Sequence, residues 1–395
     1  MHKIKTPHDS KHGKIFSWMV LILGFSTSLI YPIFPNYIKE IVKTDQNVSW
    51  FYASMAIAML VGALLSTMIF KKIARTKITT WGFFFSIFIF FGFVFVTRLH
   101  ELSFLAVLHV WIKLFLLMSL SLFVRDFSRM KDLGEEEGYY YKFNNIGLFI
   151  GPLIGGFLAA LLNYEIIFIF SAIVSFIGLI YFYHQHIYVK HPALIKEEIN
   201  IHQPNIISNI KEFFTERNRI LSYFITLTMM TFLGFRNLYI PLYVVSQGYL
   251  ESVSGIILAL GVLPLILLEV KVGKYADKKG LRLPISFGFL IMGITLILIA
   301  LSPYILLNFV LLILSNIGMA LVEPLQEDLL FKNLSKEKEN NLYGVYMTAD
   351  PVGFFISSAF GALILIFLNF NALFFAFGIL TLLSCIASLK LIKES

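Results

Sequence analysis

The chain has 395 residues, of which 58% are hydrophobic and 14% charged, and its mean hydropathy is positive. A water-soluble fold has no means of hiding that much apolar surface, so lipid must be the solvent along most of the sequence. The formal charge of +8 does not mark a nucleic-acid binder, because the basic residues fall in short loops between apolar runs.

The first residues, Met1 to Lys14, are polar and basic. The apolar run after them is too long for a signal-peptide core and lacks a small-x-small cleavage site, so it is expected to remain as the first span. Runs able to cross a hydrocarbon core of roughly 30 Å fall near 15–38, 50–70, 78–97, 102–124, 139–162, 166–187, 218–243, 253–271, 284–301, 304–322, 343–368 and 372–392. These twelve predict an all-α membrane protein. Proline and glycine inside several spans are tolerated where neighbouring helices satisfy the freed backbone groups. The longest hydrophilic stretch, 188–217, divides the chain into an amino-terminal six-helix bundle (1–187) and a carboxy-terminal one (218–395). Its latter part puts Ile206, Ile207, Ile210, Phe213 and Phe214 on one face against Lys211, Glu212 and Glu216, which predicts a short amphipathic helix lying on the cytoplasmic membrane surface. Cys385 is the only cysteine and lies in the last apolar run, so no intrachain disulfide and no structural zinc site is expected.

The basic residues test this map independently of hydropathy. With both termini inside, the cytoplasmic segments hold 26 of the 32 lysines and arginines, the outer loops hold only Lys39, Lys43 and Arg98, and Lys113, Lys142 and Arg236 lie within spans. That bias is the orientation signal of a multi-pass protein of the inner, cytoplasmic membrane.

An internal repeat appears at a constant offset of 206 residues. It pairs Pro35 with Pro241, Tyr37 with Tyr243, Gly82 with Gly288, Gly147 with Gly353, Gly155 with Gly361 and Asn163 with Asn369, without a gap between the first and sixth spans. The pairing is parallel, first span with seventh, so two pseudo-symmetric bundles related by an axis along the membrane normal are expected, with a central cavity about which they rock.

Two motifs carry a resemblance that covers essentially the whole chain. In the fifth span, Gly147, Gly151, Pro152, Gly155 and Gly156 stand in the order Gly-x3-Gly-Pro-x2-Gly-Gly; between the eighth and ninth, Gly273, Asp277, Gly280 and Arg282 stand in the order Gly-x3-Asp-Lys-x-Gly-x-Arg. The first resembles the antiporter motif, and the second the loop signature, of the major facilitator superfamily, and the nearest branch is the twelve-helix drug/proton antiporters. The resemblance implies a secondary transporter whose first, fourth, seventh and tenth helices line a central cavity. On residue chemistry alone, glycines four apart allow close helix packing, Pro152 bends its helix, Gly280 permits a tight turn, and Asp277 can cap or charge-pair with a facing helix end. The chain also departs from the family. In the first-half loop the repeat sets Lys71 opposite Asp277 and Ala74 opposite Gly280, so that gate contact is lost or rebuilt. The fourth-span Arg-x2-Gln-Gly is missing, with His109 and Lys113 near its place.

Charges within the spans need a partner or a purpose, since each costs about 2.5–3.5 kcal/mol at mid-bilayer on the insertion scale. Lys113 is near the midplane, a candidate for substrate or for a structural pair with a carboxylate. His109, one turn outward on the same face, can relay a proton or simply pack. Arg236, beside Asn237, can hold an anion bidentately or reach the headgroups. Asp350, before Pro351, is opposite Asn144 in the repeat; it can couple to protons or pair with Lys142. Glu269 and Lys271 read as interfacial. With Tyr31 and Asn316, the cavity-lining set reads as cationic.

These readings predict a monomeric, cofactor-free carrier in the bilayer that moves a small molecule against protons, with export of small amphipathic compounds favoured and uptake or exchange of an organic anion as the alternative. No nucleotide-binding loop is present in the sequence. A membrane-embedded enzyme would need a dense catalytic group, for which only Glu135, Glu136 and Glu137 offer themselves, and these read as a solvated loop; a receptor would not need buried charges.

Overall fold

The computed structural model describes residues 11–127, 133–185, 206–331 and 342–391. Among them the chain is helical with short connections: α1 (Lys11–Ser28), α2 (Phe34–Val42), α3 (Asp45–Lys72), α4 (Arg75–Phe93), α5 (Leu99–Phe127), α6 (Leu133–Leu161), α7 (Tyr164–His184), α8 (Ile206–Phe213), α9 (Arg217–Ser246), α10 (Glu251–Lys279), α11 (Arg282–Leu301), α12 (Ile305–Val322), α13 (Gln326–Phe331), α14 (Ala349–Phe367) and α15 (Phe370–Leu391). Ten of the described helices are long and apolar enough to cross a membrane, and α1 adds a shorter apolar run, Ile15–Ser28. The thirty-residue α9 has the length, but its guanidinium, amide and hydroxyl groups make it more polar.

Two expected spans, the first and the eleventh, are interrupted, and a third, the tenth, continues past its expected end through a turn, each beside a proline. The first, expected whole over 15–38, breaks at 29–33 around Pro32, and α2 restarts with Pro35 in its first turn. The tenth runs on past Val322 as a 3₁₀ turn, Glu323–Leu325, around Pro324 before α13. The eleventh begins as a helical stretch at 342–346, turns at 347–348, and resumes as α14 with Pro351 near its start. Proline has no N–H to continue the ladder and crowds the preceding turn. The eighth helix differs in the other direction: the segment expected as a loop from Gly273 to Lys279 is helical, and only Gly280, with φ of 89°, makes the turn into α11.

The chain divides into two compact units, residues 1–31 with 61–199 and residues 32–60 with 200–395. Residues 32–60 belong with the second unit through side chains: Asn36 Nδ2 donates to the Pro241 carbonyl at 3.3 Å, and the Tyr239 hydroxyl donates to Ser49 Oγ at 3.0 Å. In the first unit, Phe16, Met19, Val20 and Leu23 of α1 form a core with Phe83 of α4, Leu116, Leu120 and Phe123 of α5 and Phe182 of α7. In the second, Phe235 of α9 packs on Phe374 and Phe377 of α15. The expected surface helix α8 is present, but Phe213 is fully buried among Leu330, Leu342, Val345 and Tyr346, so this end of it docks on protein and leaves Ile210 and Phe214 exposed. The side chains of Ile206 and Ile207 lie outside the described set, as do residues 1–10 and 186–205 of the expected tail and linker.

Both units use the same helix pairing. The first span lies along the fifth (α1 on α6) and the third against the fourth and sixth (α4 on α5 and α7); in the second unit α9 lies along α14, and α11 against α12 and α15. The repeated glycines form the first of these seams. A Cβ on Gly147 would stand 2.6 Å from the Leu21 carbonyl oxygen, and one on Gly155 would overlap the Leu29 carbonyl; in the second unit a Cβ on Gly353 would stand 2.9 Å from the Leu227 carbonyl, and one on Gly361 would overlap the Tyr239 hydroxyl. At the level between, the seam is filled reciprocally: Ser28 of α1 faces Gly151, and Ser357 of α14 faces Gly234. Pro152 and Gly156 are buried in α6 next to this seam.

Candidate functional site

In the first unit the break after α1 places Tyr31 toward α5. Lys113 Nζ donates to the Tyr31 hydroxyl at 2.7 Å and lies 5.1 Å from the ring centroid. Lys113 therefore points into its unit and not to acyl chains, and both residues remain partly accessible. A buried cation is tolerable where a polar group accepts from it. His109, one turn away on α5, is only 9% exposed and is set edge-on to Phe90 at 5.2 Å and Phe93 at 6.2 Å. The expected shared face thus divides: Lys113 meets Tyr31, and His109 meets aromatic rings of α4. Asn144 lies against Gly24 of α1, where a Cβ would be 3.0 Å from its Oδ1. Lys142 is exposed.

In the second unit Arg236 does not reach for headgroups. It is 7% exposed, and its Nη2 donates to the Leu258 carbonyl of α10 at 2.5 Å. Gly261 makes room for it: a Cβ there would be 3.2 Å from Arg236 Nη2 and 2.8 Å from Asn316 Nδ2. Asn316 is fully buried and donates to Leu312 in its own helix, which leaves its Oδ1 without a hydrogen-bond partner among the described residues; Asn237 Oδ1 is in the same condition. The charged neighbours of Glu323 are Glu269, Arg236 and Asp350, and its Oε2 is enclosed without a hydrogen-bond partner among the described residues. Asp350, in the first turn of α14 where the helix dipole favours an anion, has Glu327 as a charged neighbour. Tyr343 donates to Glu327 at 2.9 Å. Burial of Glu327, on α13 beyond the apolar span, pushes its carboxyl above the usual range.

In this unit Glu323 has two further carboxylates, Glu269 and Asp350, and the Arg236 guanidinium as its charged neighbours. Glu323 is the residue that sequence reading passed over, because the tenth apolar run ends at Val322. A signal was present: Glu323-Pro324 repeats the acid-proline pair seen at Asp350-Pro351, and in both the break in the helix brings a carboxylate to the end of an apolar run. Of the second motif, Gly280 makes the turn, Arg282 opens α11, Gly273 has nothing within 4 Å of a Cβ position, and the side chain of Asp277 lies outside the described set, as does that of Lys71. Glu135, Glu136 and Glu137 likewise have no described side chains.

Two units with one helix-pairing scheme, each turning charged side chains inward from apolar helices, define a polytopic membrane carrier. The sequence profile of the Major Facilitator Superfamily matches residues 16–350 and 251–395, and the chain belongs to that superfamily. It is 25% identical over 236 residues to an uncharacterized MFS-type transporter of Methanocaldococcus jannaschii, a match spanning 58% of this chain and 59% of that protein. The fold is similar to that of a POT family transporter in complex with 5-aminolevulinic acid (TM-score 0.79, 13% identity, 97% of each chain). It is also similar to that of the nucleoside transporter NupG (TM-score 0.74, 11% identity, 97% of this chain and 99% of that one). The protein is a multi-pass membrane transporter and not an enzyme.

Proposed function

We propose that this transporter is driven by protons and works by alternating access in the cytoplasmic membrane, as a monomer with both termini inside, and that it exports small amphipathic compounds. The observation that carries the reading is Glu323, whose Oε2 is enclosed and whose charged neighbours are Glu269, Asp350 and Arg236. Carboxylates held within apolar helices change the charge of their surroundings when they take or release a proton, which is what coupling requires. Arg236 offers the ionised form a counter-ion. The proline-linked interruptions at 29–33, 323–325 and 347–348 supply places where helices can bend while the units move. The bias of basic residues supports the orientation, and the glycine run of α6 supports export through its likeness to the antiporter motif. Uptake or exchange of an organic anion would draw on Lys113 and Arg236, but Arg236 already has the Glu323 carboxylate as a charged neighbour.

The test is a proteoliposome assay in which an imposed pH gradient drives a panel of amphipathic solutes, with Asp350→Asn and Lys113→Ala beside the parent. Gradient-driven flux that collapses in both variants is the expected result. Flux indifferent to the gradient, or undiminished in both variants, would remove the reading.

A further inference from the structure

The surface of the second unit carries a groove of about 440 Å³ between the ends of α10, α11 and α12. Gly288 of α11 and Gly318 of α12 bring those two helices into backbone contact, since a Cβ on Gly288 would stand 2.6 Å from the Gly318 carbonyl oxygen. Just beyond that contact, toward the turn that joins α10 to α11, the groove opens. Val272, Leu283, Phe287 and Leu321 line it with apolar carbon, and Lys271 and Tyr275 join them from α10. It faces away from the core of the unit: Tyr275, Leu283 and Phe287 are exposed, and Leu283, Phe287, Ile294, Leu298 and Leu301 continue as one exposed apolar stripe along α11.

The charge beside the groove is of one sign. Lys271, Lys274, Tyr275 and Lys278 recur at helical spacing, so they share one face of α10, and all four are exposed. Glu269 is turned the other way, where it is a charged neighbour of Glu323. None of the three lysines has an ion-pair partner among the described residues. From Lys271 to Arg282 the chain holds five basic residues against one acid, Asp277. An apolar groove with a cationic rim at the end of a membrane span complements an anionic lipid: the groove accepts a chain, and the ammonium and hydroxyl groups donate to the phosphate. A free anion would leave the apolar walls unused, and a zwitterionic lipid would bring its own positive charge among the lysines.

We propose that this groove binds one anionic glycerophospholipid of the surrounding leaflet, with an acyl chain against Val272, Leu283, Phe287 and Leu321 and the phosphate at Lys271 and Tyr275. Lys274 and Lys278 extend the positive charge toward the rest of the headgroup. The bound lipid touches α10, α11 and α12 at once and so ties the three helices together beside the turn at Gly280. The site depends on the chain's place in a membrane and not on proton coupling.

The experiment follows thermal unfolding of the full chain in detergent as phosphatidylglycerol, phosphatidylcholine or glycerol 3-phosphate is added, with native mass spectrometry counting the lipid retained. Phosphatidylglycerol raises Tm and is retained as one molecule, phosphatidylcholine binds at least about fivefold more weakly, and glycerol 3-phosphate leaves Tm unchanged. Lys271→Gln weakens phosphatidylglycerol about fivefold, the scale of one basic residue at an anionic surface. Phe287→Ala, which removes an apolar wall, weakens it as well, and Lys77→Gln, which removes an exposed lysine of the first unit, does not. All three substituted side chains are exposed, so the variants are expected to fold, and Tm without added lipid checks that they do. Equal binding of the two lipids, equal losses in Lys271→Gln and Lys77→Gln, undiminished binding in Phe287→Ala, or stabilisation by glycerol 3-phosphate alone would each overturn the proposal.

Discussion

The Ser28 side chain of α1 lies over Gly151 of α6, and its hydroxyl donates to the Gly147 carbonyl at 3.1 Å. The second unit reverses the partners, with Gly234 on α9 facing Ser357 on α14. Each seam thus has room for one small side chain at this level, and either helix can supply it. Gly151→Ser alone overfills the first seam and is expected to cost about 1–3 kcal/mol. Adding Ser28→Gly, which copies the second unit's arrangement, recovers most of that loss. Denaturation of the two single variants and the double variant in detergent measures the coupling; strictly additive losses would show that the residues do not share the space.

Lys113 and Tyr31 make a second testable pair. Removing the ammonium in Lys113→Ala takes away the charge that the first unit carries beside Tyr31, and flux is expected to fall at least about tenfold, the scale of a charged hydrogen bond. Tyr31→Phe keeps the charge and loses only its acceptor, so a smaller loss is expected. Initial rates in proteoliposomes decide it, and a Tyr31→Phe loss as large as that of Lys113→Ala contradicts the assignment.

His109 belongs to the packing of its unit. With its ring between Phe90 and Phe93, His109→Leu is expected to cost less than about 1.5 kcal/mol, whereas His109→Ala opens a cavity and costs about 2–4 kcal/mol. Transport by His109→Leu keeps the parent's pH profile. A shifted profile in that variant would give the imidazole a proton-handling role instead.

Glu327 links stability to pH. Its carboxyl is raised by burial, so between the ordinary carboxylate range and its raised value the folded chain holds a proton that the unfolded chain has released. Stability contributed by the protonated form is present at low pH and is lost as pH rises through that window. Glu327→Gln keeps a group able to accept from Tyr343 and removes the titration, so its Tm should change less across the window than the parent's. Parallel Tm curves for the two proteins would show that Glu327 does not titrate there.

Much of the fold was legible because a span must satisfy its own backbone in lipid, which makes a long apolar run nearly synonymous with a helix. The 206-residue offset was legible for a related reason: Gly147 and Gly353, or Gly155 and Gly361, meet backbone or ring atoms so closely that neither copy tolerates a larger residue. The charged groups were less legible. Hydropathy located Arg236 and Asp350 but gave no rotation about the helix axis, so it did not distinguish a guanidinium bonded to Leu258 from one reaching outward, and it ended the tenth run one residue before Glu323.

By itself, then, the sequence determined that this chain spans a membrane many times, as two copies of one six-span pattern, because burial in lipid and close glycine contacts act through local residue type. Only the tertiary structure decided which helices break at proline, that Lys113 meets Tyr31 while His109 meets phenylalanines, and that Glu323 has Arg236, Glu269 and Asp350 as charged neighbours. Those outcomes depend on which side chains of distant segments arrive at the same place, a property that no single run of residues contains.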